Sequence, residues 1–292
     1  MRHDRSPDLA RPRAAGLLSR MAWLLLEGDA LWCTRSVPGA SLNLVYTDPP
    51  FFTGQARRCP NGTGFDDRWT GGLDAYLAWL RPRLAEMRDA LAPTGSLLVH
   101  LDWRAVHEAK LELDRLFGRE RFVNEIIWSY RTGGTGRRHL ARKHDTILFY
   151  ARGPHCKFHA LKERVPLAHR YGFANAAVRV DEHGPYRMAG LRDVWEIPAL
   201  RGNMPERVDF PTQKPLALLR RIVLLTTDPG DQVGDFFCGS GTTLVAAAEA
   251  DRAAIGGDIS RAALDLARRR LTALAEPRRS PDSPQQTASP RR

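Results

Sequence analysis

Short apolar runs alternate with longer amphipathic segments along most of the chain. The longer segments repeat apolar residues at helical spacing, which predicts α-helices, whereas the short runs end at turn residues and predict β-strands. The predicted strands are 42–47, 96–100, 146–150, 232–237 and 253–257. The predicted helices are 73–91 with a kink or break at Pro82, 104–117, 215–227, 242–250 and 261–275. This alternation is typical of an α/β protein with a largely parallel sheet.

Three segments fall outside that pattern. Residues 1–14 and 277–292 are polar and basic, and both contain prolines, so they are predicted to be disordered. Residues 153–209 have little regular periodicity and many His, Arg, Gly and Pro residues. We interpret them as an irregular insert between two parts of one α/β domain, 15–152 and 210–276.

Composition narrows the class of protein. Hydrophobic residues make up 43% and charged residues 26% of the 292 positions, as in soluble globular proteins. The apolar run 21–26 is too short for a signal peptide or a membrane span. The cysteines Cys33, Cys59, Cys156 and Cys238 show no paired spacing, which disfavours a disulfide framework or a zinc site. We therefore expect a cytoplasmic protein without a membrane segment or a metal.

The net charge indicates a polyanionic partner. Lys and Arg number 44 against 33 Asp and Glu, a net charge of +11. Residues 1–13 carry +2 and residues 277–292 carry +3, so +6 remains on the rest of the chain. Such a charge attracts nucleic acid. The alternative is arginine enrichment by a GC-rich genome, since only five of the 44 are lysine.

The first group of candidate chemical residues follows the strand 42–47. Asp48, Pro49, Pro50 and Phe51 come at the carboxyl end of a strand, where open α/β sheets bind their ligands. The prolines lack an N–H and stiffen the turn, which would hold the carboxylate and nearby carbonyl oxygens as fixed acceptors. Acceptors beside an aromatic ring suit an amino group on a planar base. The alternative is a purely structural turn.

A Gly-rich turn forms the second group. The sequence 235–243, DFFCGSGTT, leads from a strand through Gly239 and Gly241 into a helix, whose first N–H groups are free to bind a ligand. A phosphate-binding loop would need a lysine, and a dinucleotide fingerprint would need a third glycine where Leu244 stands. A nucleoside ligand without a pyrophosphate remains. Asp258, at the end of the next strand, is placed to accept from ribose hydroxyls, or else is a turn residue.

Two further motifs complete a family pattern. The sequence 210–215, FPTQKP, precedes the Gly-rich turn, and 27–31, EGDAL, precedes the strand 42–47. The four motifs together resemble those of the S-adenosylmethionine-dependent DNA amino-methyltransferases, in the permuted order of their beta group. The resemblance implies a Rossmann-like methyltransferase fold, with a mostly parallel sheet and helices on both faces. It makes 15–152 the catalytic half and 210–276 the cofactor-binding half.

The resemblance also implies roles for individual residues. The residues of the catalytic pocket would be Asp48, Pro49, Pro50 and Phe51. Those that bind S-adenosylmethionine would come from both halves of the domain: Asp29, Thr212, Lys214, Asp235, Phe237, Gly239, Ser240, Gly241, Thr242 and Asp258. Phe236 replaces a proline that is frequent in the family. Phe51 replaces the commoner tyrosine, which keeps the stacking face but loses a hydroxyl group.

Basic residues surround the predicted catalytic turn and precede the strand 146–150. Those predicted to contact phosphates of double-stranded DNA, around a base that leaves the helix, are Arg57, Arg131, Arg137, Arg138, Arg142 and Lys143. For any one of them, a solvated charge is the alternative. Residues 153–209 are the candidate target-recognition region. His100 and Asp102, at a neighbouring strand end, are expected to form a structural pair.

The reaction that these residues predict is methyl transfer to the N6 amino group of adenine in DNA. Asp48 and the carbonyl after it would accept the two amino hydrogens and so localise the nitrogen lone pair. Within the family, aspartate at this position favours adenine and serine favours cytosine N4, which is the second choice. RNA and protein-glutamine methyltransferases usually carry Asn-Pro-Pro and are less favoured.

Other classes fit less well. Methylation of cytosine carbon 5 needs a Pro-Cys thiolate, whereas this chain has Cys59-Pro60 in the reverse order. A nicotinamide dehydrogenase is disfavoured by the missing third glycine. A non-catalytic nucleic-acid-binding module is disfavoured by the intact Asp48, Gly239 and Gly241. The sequence leaves open a cognate restriction endonuclease and a homodimer as partners.

Overall fold

The structure of the protein is a computed structural model, which describes residues 22–58, 64–131, 136–167, 177–202, 204–208 and 210–275. No helix within these ranges is long and apolar enough to cross a membrane.

An eight-stranded sheet runs through the described part of the chain. Its strands, in spatial order, are β1 (Trp23–Glu27), β13 (Ala253–Asp258), β12 (Gln232–Asp235), β2 (Leu42–Thr47), β5 (Leu91–Leu101), β7 (His144–Ala151), β6 (Phe122–Ser129) and β11 (Val194–Glu196). β7 is antiparallel to both of its neighbours, and all other adjacent pairs are parallel. The carboxyl ends of the parallel strands therefore meet at one edge of the sheet.

Helices cover both faces of this sheet. They are α1 (Ala30–Arg35), α2 (Gly72–Ala90), α3 (Val106–Phe117), α4 (Leu216–Thr226), α5 (Thr242–Glu249) and α6 (Arg261–Ala275). Side chains of α1, α2 and α3 share one buried cluster with Val45 of β2. Side chains of α4, α5 and α6 share a second cluster with Leu44, the preceding residue of the same strand. Successive strand residues point to opposite faces, so a strand covered on both sides is apolar throughout.

The predicted fold class is confirmed, and all five predicted strands and five predicted helices are present. Pro82 does not interrupt α2, which is continuous from Gly72 to Ala90. The sequence patterns missed three elements of the main sheet, β1, β6 and β11. β6 was missed because Asn124 and Glu125 break its apolar run.

The segment 153–209 is more regular than predicted. It contains an antiparallel sheet of β8 (Lys162–Pro166), β10 (Gly184–Gly190) and β9 (Arg179–Asp181), in that spatial order. These strands are exposed or half-buried along their length. Because no face of them is consistently buried, their sequences lack the period-two pattern that marks a strand. The role of this segment in target recognition stays a prediction.

A short hairpin follows the predicted catalytic turn. β3 (Ala56–Arg58) pairs antiparallel with β4 (Gly64–Asp66). Arg57, one of the predicted DNA contacts, belongs to β3. Cys59 and Pro60 lie outside the described residues.

The packing of α4 generates a stability prediction. Ile222 is fully buried against the sheet, whereas Leu224 on the same helix is 43% exposed. We expect Ile222→Ala to lower the free energy of unfolding by about 2–5 kcal/mol, because it removes buried methyl groups and leaves a cavity. Leu224→Ala is the matched control and should change it by less than about 1 kcal/mol. Urea titration of both variants measures the difference, and equal losses would contradict the packing described.

Candidate active site

Aspartates follow the carboxyl ends of several neighbouring strands. β1, β13, β12, β2 and β5 end next to Asp29, Asp258, Asp235, Asp48 and Asp102, respectively. The antiparallel strand β7 begins at the same edge and contributes Asp145. All six side chains line one cleft of about 740 Å³. Parallel alignment thus gathers residues that are as much as 229 positions apart in the chain.

Asp67 fixes the backbone of the predicted catalytic turn. Its carboxylate is fully buried and accepts hydrogen bonds from the N–H groups of Phe52 at 3.0 Å and Thr53 at 2.7 Å. The Thr53 hydroxyl and the Trp69 indole N–H also donate to it. Phe52 has a φ of +60°, a conformation that costs a non-glycine residue energy and that these bonds hold in place. Asp67 was not predicted as a site residue, because nothing in the sequence around it indicates its partners.

The turn is anchored from α2 as well. The hydroxyl of Tyr76 donates to the carbonyl oxygen of Pro50 at 2.8 Å. Tyr76 also contacts the ring of Phe52, and its own ring is buried. The turn is therefore fixed on both sides, and Asp48 and Phe51 project from a rigid support.

Asp48 and Lys214 form an ion pair inside the cleft. The Nζ of Lys214 lies 2.5 Å from Oδ2 of Asp48, and both side chains are largely buried. The same Nζ lies 5.0 Å from the centre of the Phe51 ring. The other carboxylate oxygen, Oδ1, is buried and has no hydrogen-bond partner among the described residues. A buried acceptor without a donor is costly, so Oδ1 is ready to receive a donor from a ligand.

The Gly-rich turn between β12 and α5 is built as predicted. Gly239 and Gly241 have φ values of +49° and +75°, which favour glycine. A side chain at Gly241 would meet Ala267 of α6 at 2.6 Å, so α5 and α6 can pack closely only because this residue is glycine. Gly241 supports the turn from behind and does not line the cleft. This separates it from the other predicted cofactor residues.

Asp235 is buried under the same turn. It accepts from the Thr243 hydroxyl at 2.6 Å and from the Phe237 N–H at 3.1 Å. Burial nevertheless raises the pKa of Asp235 to about 7, because its charged form loses hydration. A cation placed beside it would stabilise the charged form.

Asp258 and Asp29 lie at the other end of the turn. Asp258 accepts from the N–H groups of Gly239 and Ser260, at 2.9 and 2.8 Å, and burial raises its pKa. Asp29 caps α1 by accepting from the Leu31 N–H. Its second oxygen pairs with Arg83 at 2.6 Å. Asp29 is thus a structural cap as well as a residue of the cleft.

Two arginines that the sequence analysis did not single out brace the cleft from behind. Arg83 of α2 also stacks on the ring of Trp79, which contacts Phe237. Arg270 of α6 donates to the Ser240 carbonyl at 2.7 Å and to the Thr242 hydroxyl at 3.0 Å. Both act across elements distant in sequence, so no local pattern marks them.

A buried hydrogen-bonded chain lies beneath Phe51. Tyr46 and His100 are joined by a bond of 2.7 Å, and His100 lies 3.3 Å from a carboxylate oxygen of Asp145. The Tyr130 hydroxyl donates to the second oxygen of Asp145 at 3.0 Å. The expected pairing of His100 with Asp102 is therefore wrong. β5 and β7 are antiparallel neighbours, which brings Asp145 to His100, whereas Asp102 follows His100 by two residues and pairs with Arg104.

One cleft holds nearly all residues predicted for catalysis and cofactor binding. Those that line it are Asp29, Asp48, Pro49, Pro50, Phe51, Thr212, Lys214, Asp235, Phe237, Gly239, Ser240, Thr242 and Asp258. No group of three or more His, Cys, Asp or Glu in the described ranges could hold a metal ion.

The predicted DNA-contacting residues lie outside the cleft. Arg137 and Arg138 are exposed, and Arg131 lies 3.7 Å from Glu196. Arg142 stacks on the ring of Trp103, and the Lys143 carbonyl accepts from the Tyr130 N–H. The cationic residues of the cleft itself are Arg104, Arg207 and Lys214.

Fold and cleft together define a class of protein. The Gly-rich turn and the Asp-Pro-Pro-Phe turn line the same cleft of a Rossmann-like sheet. This arrangement is expected of an amino-methyltransferase. Residues 42–269 match the family described as DNA methylase, in its N6/N4 branch. The chain belongs to this family.

Two curated relatives are similar over most of the chain. The DNA adenine methyltransferase YhdJ of Escherichia coli K12 is 29% identical over 252 residues, which cover 85% of this chain and 82% of that protein. The Type II methyltransferase M.BglII of Bacillus subtilis is 29% identical over 255 residues, which cover 83% and 67%.

Two solved structures share the fold. The M1.HpyAVI-SAM complex superimposes with a TM-score of 0.57 at 20% identity and covers 85% of this chain and 98% of its own. PvuII DNA methyltransferase, described as cytosine-N4-specific, has a TM-score of 0.58 at 17% identity, with coverages of 86% and 95%. At these identities the similarity establishes the fold alone.

The role of Asp67 is testable. Asp67→Ala leaves the donors of Phe52, Thr53 and Trp69 without their acceptor, so we expect a loss of about 3 kcal/mol in the free energy of unfolding. Because the turn would shift, the methylation rate of the folded variant should fall by about a hundredfold. Asp74→Ala, at an exposed carboxylate, is the control. A folded Asp67→Ala with the wild-type rate would show that the turn does not need this anchor.

Proposed function

We propose that this protein transfers a methyl group from S-adenosylmethionine to the N6 amino group of adenine in double-stranded DNA. The observation that carries the proposal is the free, buried Oδ1 of Asp48 beside Phe51, in the same cleft as the Gly-rich turn. This combines an acceptor for an amino group, a stacking surface for a base and a nucleoside site. The beta-group assignment rests on the order of the motifs along the chain.

The residues of the cleft fit S-adenosylmethionine. Its methionine part carries an ammonium group and its sulfur is a sulfonium, so the cofactor suits a cleft lined by carboxylates. Asp235 lies under the Gly-rich turn, where a cation would stabilise its charged form. Asp258 is an acceptor at the end of β13, as ribose hydroxyls require. When bound, the cofactor supplies an electrophilic methyl group on a good leaving group.

The protein's own part in the reaction is to position the amine and to hold charge. The exocyclic nitrogen of adenine is a poor nucleophile, because its lone pair is delocalised into the ring. Oδ1 of Asp48 and the Pro49 carbonyl oxygen would each accept a hydrogen bond from the amino group. These bonds would draw the lone pair back onto the nitrogen. Phe51 would stack on the base and fix its plane. Positioning and charge stabilisation of this kind need no covalent intermediate on the protein.

Lys214 gives the two oxygens of Asp48 different tasks. Its ammonium group holds Oδ2, which orients the carboxylate and leaves Oδ1 for the amine. Lys214 also places a positive charge near Asp145, where it favours the charged form of that carboxylate. The residue that the resemblance assigned to cofactor binding therefore acts at the catalytic carboxylate as well.

Adenine is favoured over cytosine by two observations. Aspartate stands at the first position of the catalytic turn, and the relative YhdJ is described as a DNA adenine methyltransferase. Cytosine N4 is the second candidate, because the PvuII enzyme, described as cytosine-N4-specific, has the same fold. Both bases offer an exocyclic amine to the same acceptors, so the mechanism is common to the two.

Duplex DNA is the proposed partner. The predicted basic residues, among them the exposed Arg137 and Arg138, would contact phosphates, and residues 153–209 would recognise the sequence. M.BglII is described as a Type II methyltransferase, which makes a cognate endonuclease a second partner to search for. A homodimer and a cytoplasmic location complete the proposal.

Nucleoside mass spectrometry tests the reaction. The purified protein is incubated with unmethylated duplex DNA and methyl-deuterated S-adenosylmethionine. Labelled N6-methyldeoxyadenosine supports the proposal, and sequencing of the product then identifies the site. Labelled N4-methyldeoxycytidine would keep the mechanism and overturn the choice of base. No label in DNA, with cofactor binding intact, would contradict the DNA assignment.

The role of Asp48 gives a sharper test. Asp48→Ala removes the acceptor of the amine, so we expect methylation to fall below detection. Binding of S-adenosylmethionine, measured by calorimetry, should stay within about threefold, since no cofactor contact is proposed for Asp48. Asp74→Ala again serves as the control for loss of a carboxylate. Turnover by Asp48→Ala at more than a hundredth of the wild-type rate would reject the assignment.

Cofactor affinity should depend on pH through Asp235. The carboxyl group is neutral below its pKa of about 7, and only the charged form attracts the cofactor's ammonium group. The dissociation constant should therefore fall about tenfold as pH rises from 5.5 to 7, before the ammonium group itself begins to titrate.

Asp235→Asn is the matched control, because its oxygen can accept from the Phe237 N–H and its amide NH2 can donate to the Thr243 hydroxyl, but it does not ionise. We expect weaker binding at pH 7 and a much shallower pH dependence. If the dissociation constant changed equally steeply with pH in both proteins, a group other than Asp235 would be responsible for the titration.

A further inference from the structure

Trp103 is exposed at the lip of the cleft. It follows β5, and its two neighbours, Asp102 and Arg104, both line the cleft. Its side chain is nevertheless 43% exposed, in contrast to the buried Trp128 and Trp195. Tryptophan is enriched at interfaces, because it combines a large apolar ring with a polar N–H group.

Arg142, which precedes β7, stacks on the indole ring of Trp103. Its guanidinium carbon lies 3.6 Å from the centre of the Trp103 ring, and that of Arg104 lies 4.9 Å from it. Asp102 in turn pairs with Arg104. The backbone beside Arg142 is fixed, because the Lys143 carbonyl accepts from the Tyr130 N–H at 2.9 Å. Trp103 and Arg142 thus form a preorganised aromatic and cationic pair, which we call the lip pair.

The charges around the cleft limit what this pair can contact. Among the described residues, eight aspartates line the cleft, against three cationic side chains. This interior repels a phosphate backbone, so it suits an uncharged base while the duplex stays outside. At the lip, the exposed Arg142 supplies the positive charge that a phosphate needs. When a base leaves a duplex, the faces of its former neighbours are uncovered, and an aromatic ring can stack on them.

We propose that the lip pair binds the DNA duplex at the position that the target base vacates. Trp103 stacks on the uncovered base face and stabilises the extruded state, and Arg142 contacts the flanking phosphate. This inference rests on the proposed function, since it takes the substrate to be duplex DNA with an extruded base. It assigns a role in base extrusion to Trp103, apart from the residues that act on the amine.

The test compares two duplexes that carry the methylation site found by sequencing. In one the target base is paired, and in the other it lies opposite an abasic position, so that it is already unpaired. We expect Trp103→Ala to lower kcat/KM about tenfold on the paired duplex and less than about threefold on the other. Trp103→Phe, which keeps a ring, should remain within about threefold of wild type on both. An equal loss on both duplexes, or no loss, would overturn the proposal.

A second readout does not depend on turnover. The fluorescence of 2-aminopurine at the target position rises when that base leaves the stack, and Trp103→Ala should reduce the rise on the paired duplex. For Arg142→Gln we expect weaker binding to duplex DNA and a salt slope smaller by about one. Arg119→Gln is the matched control, because this exposed arginine precedes β6 at the opposite edge of the sheet. Equal effects of the two arginine variants would show that Arg142 contributes only net charge.

The two proposals fail in different ways. If the wild-type protein methylates no DNA, the proposed function fails, and the binding measurements alone then decide on the lip pair. Wild-type affinity for duplex DNA in both Trp103→Ala and Arg142→Gln would reject it. If methylation is normal in Trp103→Ala on both duplexes, the proposed function stands and the lip pair is rejected.

Discussion

Parallel alignment of β1, β13, β12, β2 and β5 is the constraint on which the rest of this structure depends. Because these strands run in the same direction, their carboxyl ends meet at one edge, and each strand has an aspartate at its end or within two residues after it. Helices packed on both faces hold the strands in this order. The catalytic turn and the Gly-rich turn are neighbours in space for this reason alone, since more than 180 residues separate them in the chain.

Gathering carboxylates in a half-buried cleft is unfavourable, and the surrounding residues offset the cost in different ways. Backbone N–H groups donate to Asp258, and Lys214 pairs with Asp48. At Asp235 the loss of hydration on burial outweighs the two hydrogen bonds that it accepts, so its pKa rises to about 7. A cleft lined mainly by carboxylates favours a positively charged ligand, and it repels a polyanion. The basic residues outside it are then needed to bind the nucleic acid whose base is modified.

Several features that position the chemistry had no signal in the sequence. Asp67 and Tyr76 fix the turn through hydrogen bonds to residues 15 and 26 positions away in the chain. His100 looked like a partner of Asp102, two positions away, but the antiparallel register of β5 and β7 brings Asp145 to it instead. The strands β8, β9 and β10 gave no alternating pattern, because neither of their faces is buried. Contacts between distant elements and strands exposed on both faces are what a local pattern cannot predict.

Local patterns in the sequence predict the class of fold, five strands of the main sheet and the two reactive turns. Strands buried on both faces must be continuously apolar, and a helix that begins at a ligand site needs glycine at positions of positive φ; both requirements are met by residues adjacent in the chain. Only the tertiary structure decided how charge is distributed in the cleft. Lys214 reaches Asp48 across 166 positions, and Arg142 reaches Trp103 from another loop. Electrostatic and aromatic contacts depend on distance in space, and that distance exists only once the sheet has formed.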